Sequence, residues 1–64
     1  MNRRKFEQHL SEHGCRLQRN GGGHDVWRNE DGSKCMPVPR HTEIKQGLVE
    51  RICRHFGIVK PKFR

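Results

Sequence analysis

Residues 14–39 read GCRLQRNGGGHDVWRNEDGSKCMPVP, and the way this stretch alternates and breaks decides the fold. Cys15 and Leu17 alternate with Arg16 and Gln18, the two-residue period of a half-buried strand. The run Asn20, Gly21, Gly22, Gly23 can turn sharply, and after it His24, Val26 and Arg28 alternate with Asp25 and Trp27 as a second strand. Asp31 and Gly32 then supply a hairpin turn. Lys34, Met36 and Val38 alternate with Cys35 as a third strand. Pro37 has no N–H for a ladder, so this strand lies at an edge or turns its outer side to solvent there.

Helical patterns flank the three strands. From Arg3 to His13 the residues are good helix formers, with Phe6 and Leu10 four apart on one face, Asn2 as a usable N-cap and Gly14 as the stop. Arg3, Arg4 and Lys5 crowd the positive end of the helix dipole, a placement that points to use rather than to stability. After a loop from Pro39 to Lys45, Ile44, Leu48, Ile52 and Phe56 recur every four residues, with Val49 and Cys53 beside them. Glycine inside a helix costs about 1 kcal/mol, so the helix is expected to begin close to Gly47, with Ile44 packing from the approach and Gly57 and Ile58 ending it. The expected fold class is α+β: a two-layer α-β-β-β-α domain whose three-stranded antiparallel sheet has both helices on one face, burying Phe6, Leu10, Leu48, Ile52 and Phe56. Nothing is left to cover the other face, so its polar strand residues stay available for binding. One domain is expected over 1–58, followed by a basic tail, 59–64, that frays or drapes on the surface.

The chain has 64 residues, 30% of them hydrophobic, and 14 Lys and Arg against 7 Asp and Glu give a net charge of +7. Such a chain forms one small domain with a small core. It contains no apolar run near the roughly 18 residues of a membrane span, and the opening MNRRKF has no apolar stretch after its basic residues. A soluble, cytoplasmic, monomeric protein with no membrane partner is therefore expected. Cys15, Cys35 and Cys53 are odd in number and form no CxxC pair, which leaves them as small reduced hydrophobes. The single-signed excess charge attracts polyanions, and for such a domain that means nucleic acid first and an acidic protein second.

Two segments have chemical potential. Gly21, Gly22 and Gly23 offer unencumbered backbone N–H groups to a phosphate, and His24 follows them with an imidazole able to move a proton at a ribose hydroxyl or its leaving oxygen. The same residues also make an ordinary turn with a solvated histidine. Pro39 directs a loop carrying Arg40 and His41, which equally reads as a helix approach capped by Thr42, with Glu43 complementing the dipole. His9 and His13 are one helical turn apart but lack a third metal ligand other than Cys15, so no metal is expected. No serine or cysteine has a base beside it in sequence, which leaves covalent catalysis without a candidate.

Taken together, Gly22, Gly23, His24, then Val38, Pro39, Arg40, His41, then Gly47 to Ile52 and Gly57 resemble the HicA toxin family over nearly the whole chain. The motif order is similar too: a glycine-serine-histidine step, a valine-proline-x-histidine step and a glycine opening the last helix. Gly23 stands where the family usually has serine, and Leu48 where it often has threonine. The resemblance implies a fold like that of the double-stranded-RNA-binding domain and an mRNA interferase, an endoribonuclease needing no cofactor, neutralised by a HicB-like antitoxin. It places the family's active histidine at His24. Gly22, Gly23, Arg28, Lys34, Arg40 and His41 are the candidates for holding RNA, with Arg28, Lys34 and Arg40 meeting charge at phosphorus and His41 the nearest candidate in kind for a second proton carrier. A non-catalytic RNA-binding module on the same basic sheet face is the alternative.

Overall fold

In the computed structural model, which describes residues 1–61, the chain runs α1 (Arg3–Glu12), β1 (Arg16–Asn20), β2 (His24–Arg28), β3 (Cys35–Pro39) and α2 (Gln46–Phe56). The strands form one antiparallel sheet in the order β1-β2-β3. This is the expected α+β order, and Pro37 lies on an edge strand, opposite Val26.

Local chemistry sets the helix limits. Asn2 caps α1, its Oδ1 accepting from the backbone N–H groups of Arg4 at 2.9 Å and Lys5 at 3.3 Å. Beyond the C-cap His13, Gly14 takes φ +84°, a left-handed conformation that ends the helix. Helix α2 opens at Lys45 without a side-chain cap, so Thr42 does not cap it. Thr42 serves elsewhere: its carbonyl accepts from Arg3 N–H at 2.9 Å, while Ile44 N–H donates to the Met1 carbonyl at 2.8 Å. Residues 42–44 are thereby stitched to the start of α1, and Ile44 is buried.

The core is assembled from Phe6 and Leu10 of α1, Trp27 and Val38 of the sheet, Ile44, and Val49, Ile52, Cys53 and Phe56 of α2. Leu48, expected as a core anchor, is only partly buried, and Val49 and Cys53 lie deeper. The four-residue series 44, 48, 52, 56 drifts around a helix of 3.6 residues per turn, so the face toward the sheet is carried by positions 49, 52, 53 and 56 instead.

Strand β1 departs from its expected half-buried character: all five residues are exposed, Leu17 by 46%. The buried residue of that stretch is Cys15, just before the strand. At the sheet edge β1 lacks helix cover, and a bulge between Leu17 and Arg19 breaks its alternation. Lys34 falls in the β2–β3 turn, ahead of β3. There Asn29 and Lys34 exchange backbone and side-chain hydrogen bonds at 3.0 Å, and Asp31 accepts from Ser33 N–H at 2.9 Å. The Ser33 hydrogen bonds hold the Asp31 carboxyl below its ordinary range. Of the tail, Val59 accepts a hydrogen bond from His9 Nε2 at 2.7 Å and Pro61 is buried, so this part lies along α1; residues 62–64 fall outside the described residues.

Candidate functional site

The β2 ladder assigns every neighbouring side chain to one of two faces. Asp25 and Trp27 are buried toward the helices, and their partners Val38 and Met36 on β3 share that side. His24, Val26 and Arg28 therefore face outward, away from the helices. Register then brings Arg16 opposite Arg28, Arg19 opposite Val26, and Cys35, Pro37 and Pro39 onto the same outer face. No carboxylate lies there. Of the seven acids, Glu7 and Glu12 belong to α1, Glu43 and Glu50 to α2 and its approach, and Glu30 and Asp31 to the β2–β3 turn. The strand acid, Asp25, is turned inward.

Arg16 and Arg28 thus stand directly opposite each other as like charges, an unfavourable arrangement on a bare sheet. No salt bridge relieves either one among the described residues. An open, acid-free face with three arginines suits a polyanion.

His24 is the first residue of β2 and is exposed, with Pro39 opposite it. Its neighbour in sequence, Asp25, cannot orient the ring, because the two side chains leave the strand on opposite faces. The glycine turn before it divides its labour. A side chain at Gly21 would put its Cβ 2.2 Å from the His24 carbonyl oxygen, so the turn tolerates only glycine there. Nothing lies within 4 Å of a Cβ built at Gly22 or Gly23, and both are exposed, which leaves their backbone open to an incoming group.

Arg40 joins this end of the sheet. Its N–H donates to the Gly23 carbonyl at 3.3 Å, its own carbonyl accepts from Arg3 Nη1 at 2.6 Å, and its Nε lies 3.6 Å from Asp25 Oδ1. His41 follows, exposed, and lines a groove of about 610 Å³ with Pro39, Ile44 and Leu48. Gly22, Gly23, His24, Arg40 and His41 therefore share one end of the β2–β3 ladder.

Arg28 and Lys34 do not. Arg28 is four residues from His24, about 13 Å along a strand, and its Nη1 lies 3.1 Å from where a Cβ on Gly32 would stand. Lys34 is farther still, inside the turn. Both are too distant to share one small group with Arg40 and His24.

His9 and His13 lie with ring centroids 4.3 Å apart and tilted by 43°, and one nitrogen of each is engaged by backbone: His9 Nε2 with the Val59 carbonyl and His13 Nδ1 with the His9 carbonyl at 2.9 Å. Among the described residues no three His, Cys, Asp or Glu side chains gather around a common point. Burial pushes the thiols of Cys15 and Cys53 above their ordinary range, with the proximity of Cys15 and Glu50 adding to the effect at Cys53. Both thiols are buried away from any attacking position.

Two features escape a reading of the sequence. Arg16 and Arg19 stand there only as scattered cations, yet strand pairing places them on the His24 face. Asp25 reads as an ordinary polar strand residue, although an acid two positions before an inward Trp27 already shares its face by strand alternation.

Fold and site together define a small basic α+β domain with a solvent-facing histidine at the end of an arginine-bearing sheet. Residues 3–58 match the family model described as the HicA toxin of bacterial toxin-antitoxin, and the chain belongs to that family. It is accordingly a toxin of a toxin–antitoxin system, with an antitoxin as the corresponding kind of partner. No curated protein and no solved structure matches the chain significantly. No helix among the described residues is long and apolar enough to cross a membrane.

Proposed function

We propose that this toxin is an endoribonuclease that cleaves messenger RNA with His24 as its general acid and base. The observation that carries the reading is the placement of His24: exposed, beside the open Gly22–Gly23 backbone, at the end of a sheet face with three arginines and no acid.

In the reaction, neutral His24 takes the proton of a ribose 2′-hydroxyl as that oxygen attacks the adjacent phosphorus. The bond from phosphorus to the 5′-oxygen breaks, and the protonated imidazole returns a proton to that oxygen. The products are a 2′,3′-cyclic phosphate and a 5′-hydroxyl. One histidine can serve both steps in turn, or His41 at the same end of the ladder can supply the second. Negative charge on the phosphoryl oxygens is met by Arg40 and by the N–H groups of Gly22 and Gly23. Arg28 and Lys34, a strand length away, hold flanking backbone, and Arg16 and Arg19 extend that track. A HicB-like antitoxin silences the toxin by covering His24 and this basic face, which denies RNA its access. The setting is the cytoplasm, where messenger RNA is found.

The test is a cleavage time course of purified protein on a long RNA, run beside His24→Ala, with growth after induction of each in cells. Cleavage and arrest by the native chain, both lost in a folded His24→Ala, are expected. RNA binding without cleavage would select the non-catalytic RNA-binding module instead.

A further inference from the structure

We infer that Asp25 is a positioning residue of this site: from the inner face of β2 it holds the side chain of Arg40 where the RNA phosphate arrives. The inference rests on the ribonuclease reading above. Asp25 is 8% exposed, the buried charged residue of the described core, on the side of the strand that otherwise carries Trp27. A buried carboxylate is tolerated only when its charge is met. Its Oδ1 has no hydrogen bond within the described residues, and the salt-bridge cation beside it is Arg40 Nε at 3.6 Å. That separation exceeds a hydrogen bond, so the pair is an electrostatic tether rather than a closed bidentate clasp.

Arg40 is fixed from three directions. Gly23 holds its N–H, Arg3 holds its carbonyl, and Asp25 faces its Nε. Arg3 is steadied in turn, with its Nε 3.7 Å from Glu7 Oε2. Despite these contacts the Arg40 side chain remains 49% exposed. An arginine tethered through Nε keeps both terminal nitrogens for a ligand, and phosphate oxygens match that fork. Arg40 also follows Pro39, the residue opposite His24, so its guanidinium lies at the histidine's end of the ladder, where a phosphate reaching over that end from the outer face meets it. A pair of this length with one partner half in solvent would do little as a stabiliser alone. The arrangement instead limits the positions open to a long, flexible side chain before the substrate arrives.

The experiment is a double-mutant cycle on the full chain: native, Asp25→Asn, Arg40→Ala and the double variant. Each is assayed for kcat/KM on a defined oligoribonucleotide and for affinity toward the same oligonucleotide with a 2′-deoxy residue at the cleaved position. Asp25→Asn is expected to lower kcat/KM about tenfold and to weaken binding in the same direction, while the double variant falls no lower than Arg40→Ala. Asp25→Leu, which removes the charge without leaving a polar group buried, is expected to fold and to show the same loss. The inference is overturned if Asp25→Asn or Asp25→Leu matches the native chain, if the two losses multiply in the double variant, or if neither Asp25 variant folds. A native chain that binds the oligonucleotide without cleaving it sinks the ribonuclease reading alone, and the affinities still decide whether Asp25 acts through Arg40.

Discussion

Salt dependence gives the outer face of the sheet a quantitative test. Arg16, Arg19 and Arg28 lie on that face and Arg40, tethered to the inward Asp25, lies beyond its end, so four phosphate contacts are available to a strand that crosses the face and runs over that end. On a single strand each contact contributes a slope of about −0.7 in log affinity against log salt, which makes the expected total about −2.8 and the loss between about 50 and 200 mM salt roughly 50-fold. Replacing Arg16 and Arg28 together by alanine leaves a slope of about −1.4 and a loss of only about sevenfold over the same interval. Because the two are like charges directly opposite each other, the double substitution is expected to leave the melting temperature unchanged or slightly higher. Arg51, exposed on α2 in the helix layer, is the control, and Arg51→Ala should keep the full slope. The assay is fluorescence anisotropy of a labelled, cleavage-resistant oligonucleotide at four salt concentrations. If the Arg16 and Arg28 variants titrate like Arg51→Ala, or if the native slope is shallower than about −1, RNA does not lie across this face.

Ile52→Ala removes a fully buried side chain and should cost about 2–5 kcal/mol, roughly half of what a 64-residue chain holds. Leu48→Ala, at a half-buried position, should cost clearly less, and equal thermal shifts would contradict this register of α2. Alanine at Gly21 is expected to lower both melting temperature and cleavage, since its Cβ meets the His24 carbonyl, whereas alanine at Gly22 leaves the fold intact; circular dichroism separates the two. In the native state a thiol reagent at mildly alkaline pH should modify exposed Cys35 and spare Cys15 and Cys53 until the chain unfolds; mass spectrometry of the labelled protein reads the difference. Cleavage should persist in excess chelator, because the proposed proton transfers use only the chain's own groups, and loss of activity restored by zinc would reverse that expectation.

Element order, the two turns and the caps of α1 are legible in the sequence because each depends on neighbours along the chain: Asn2 reaches Arg4 and Lys5, and Gly14 needs only its own φ. The inward face of α2 is less so. Counting by fours picks out Leu48, while only three-dimensional docking on the sheet selects Val49 and Cys53. The exposure of β1 is hidden for a related reason, since alternation reports two faces but not whether anything covers them. His24 and its glycine turn are visible as a local motif. The separation of Arg28 and Lys34 from Arg40 is not, because it follows from pairing between strands rather than from any one of them.

Strand β2 ties the core to the proposed site. A slip of one residue in its pairing would turn His24 and Arg28 toward the helices and drive Asp25 and Trp27 into water. What resists that slip is the core itself: Trp27 and Val38 are buried on the inner side, and five consecutive pairs join β2 to β3 without a break. The irregularity falls on β1, where the bulge absorbs one extra residue before Arg19 and still brings Arg19 opposite Val26. At the other end, contact of any Gly21 side chain with the His24 carbonyl fixes how the chain enters the strand. The residues that hold His24 outward are thus the buried ones of the sheet and the glycine of the turn, not its neighbours on the outer face. In so small a core few other contacts are present to correct an error, so the register depends on these residues.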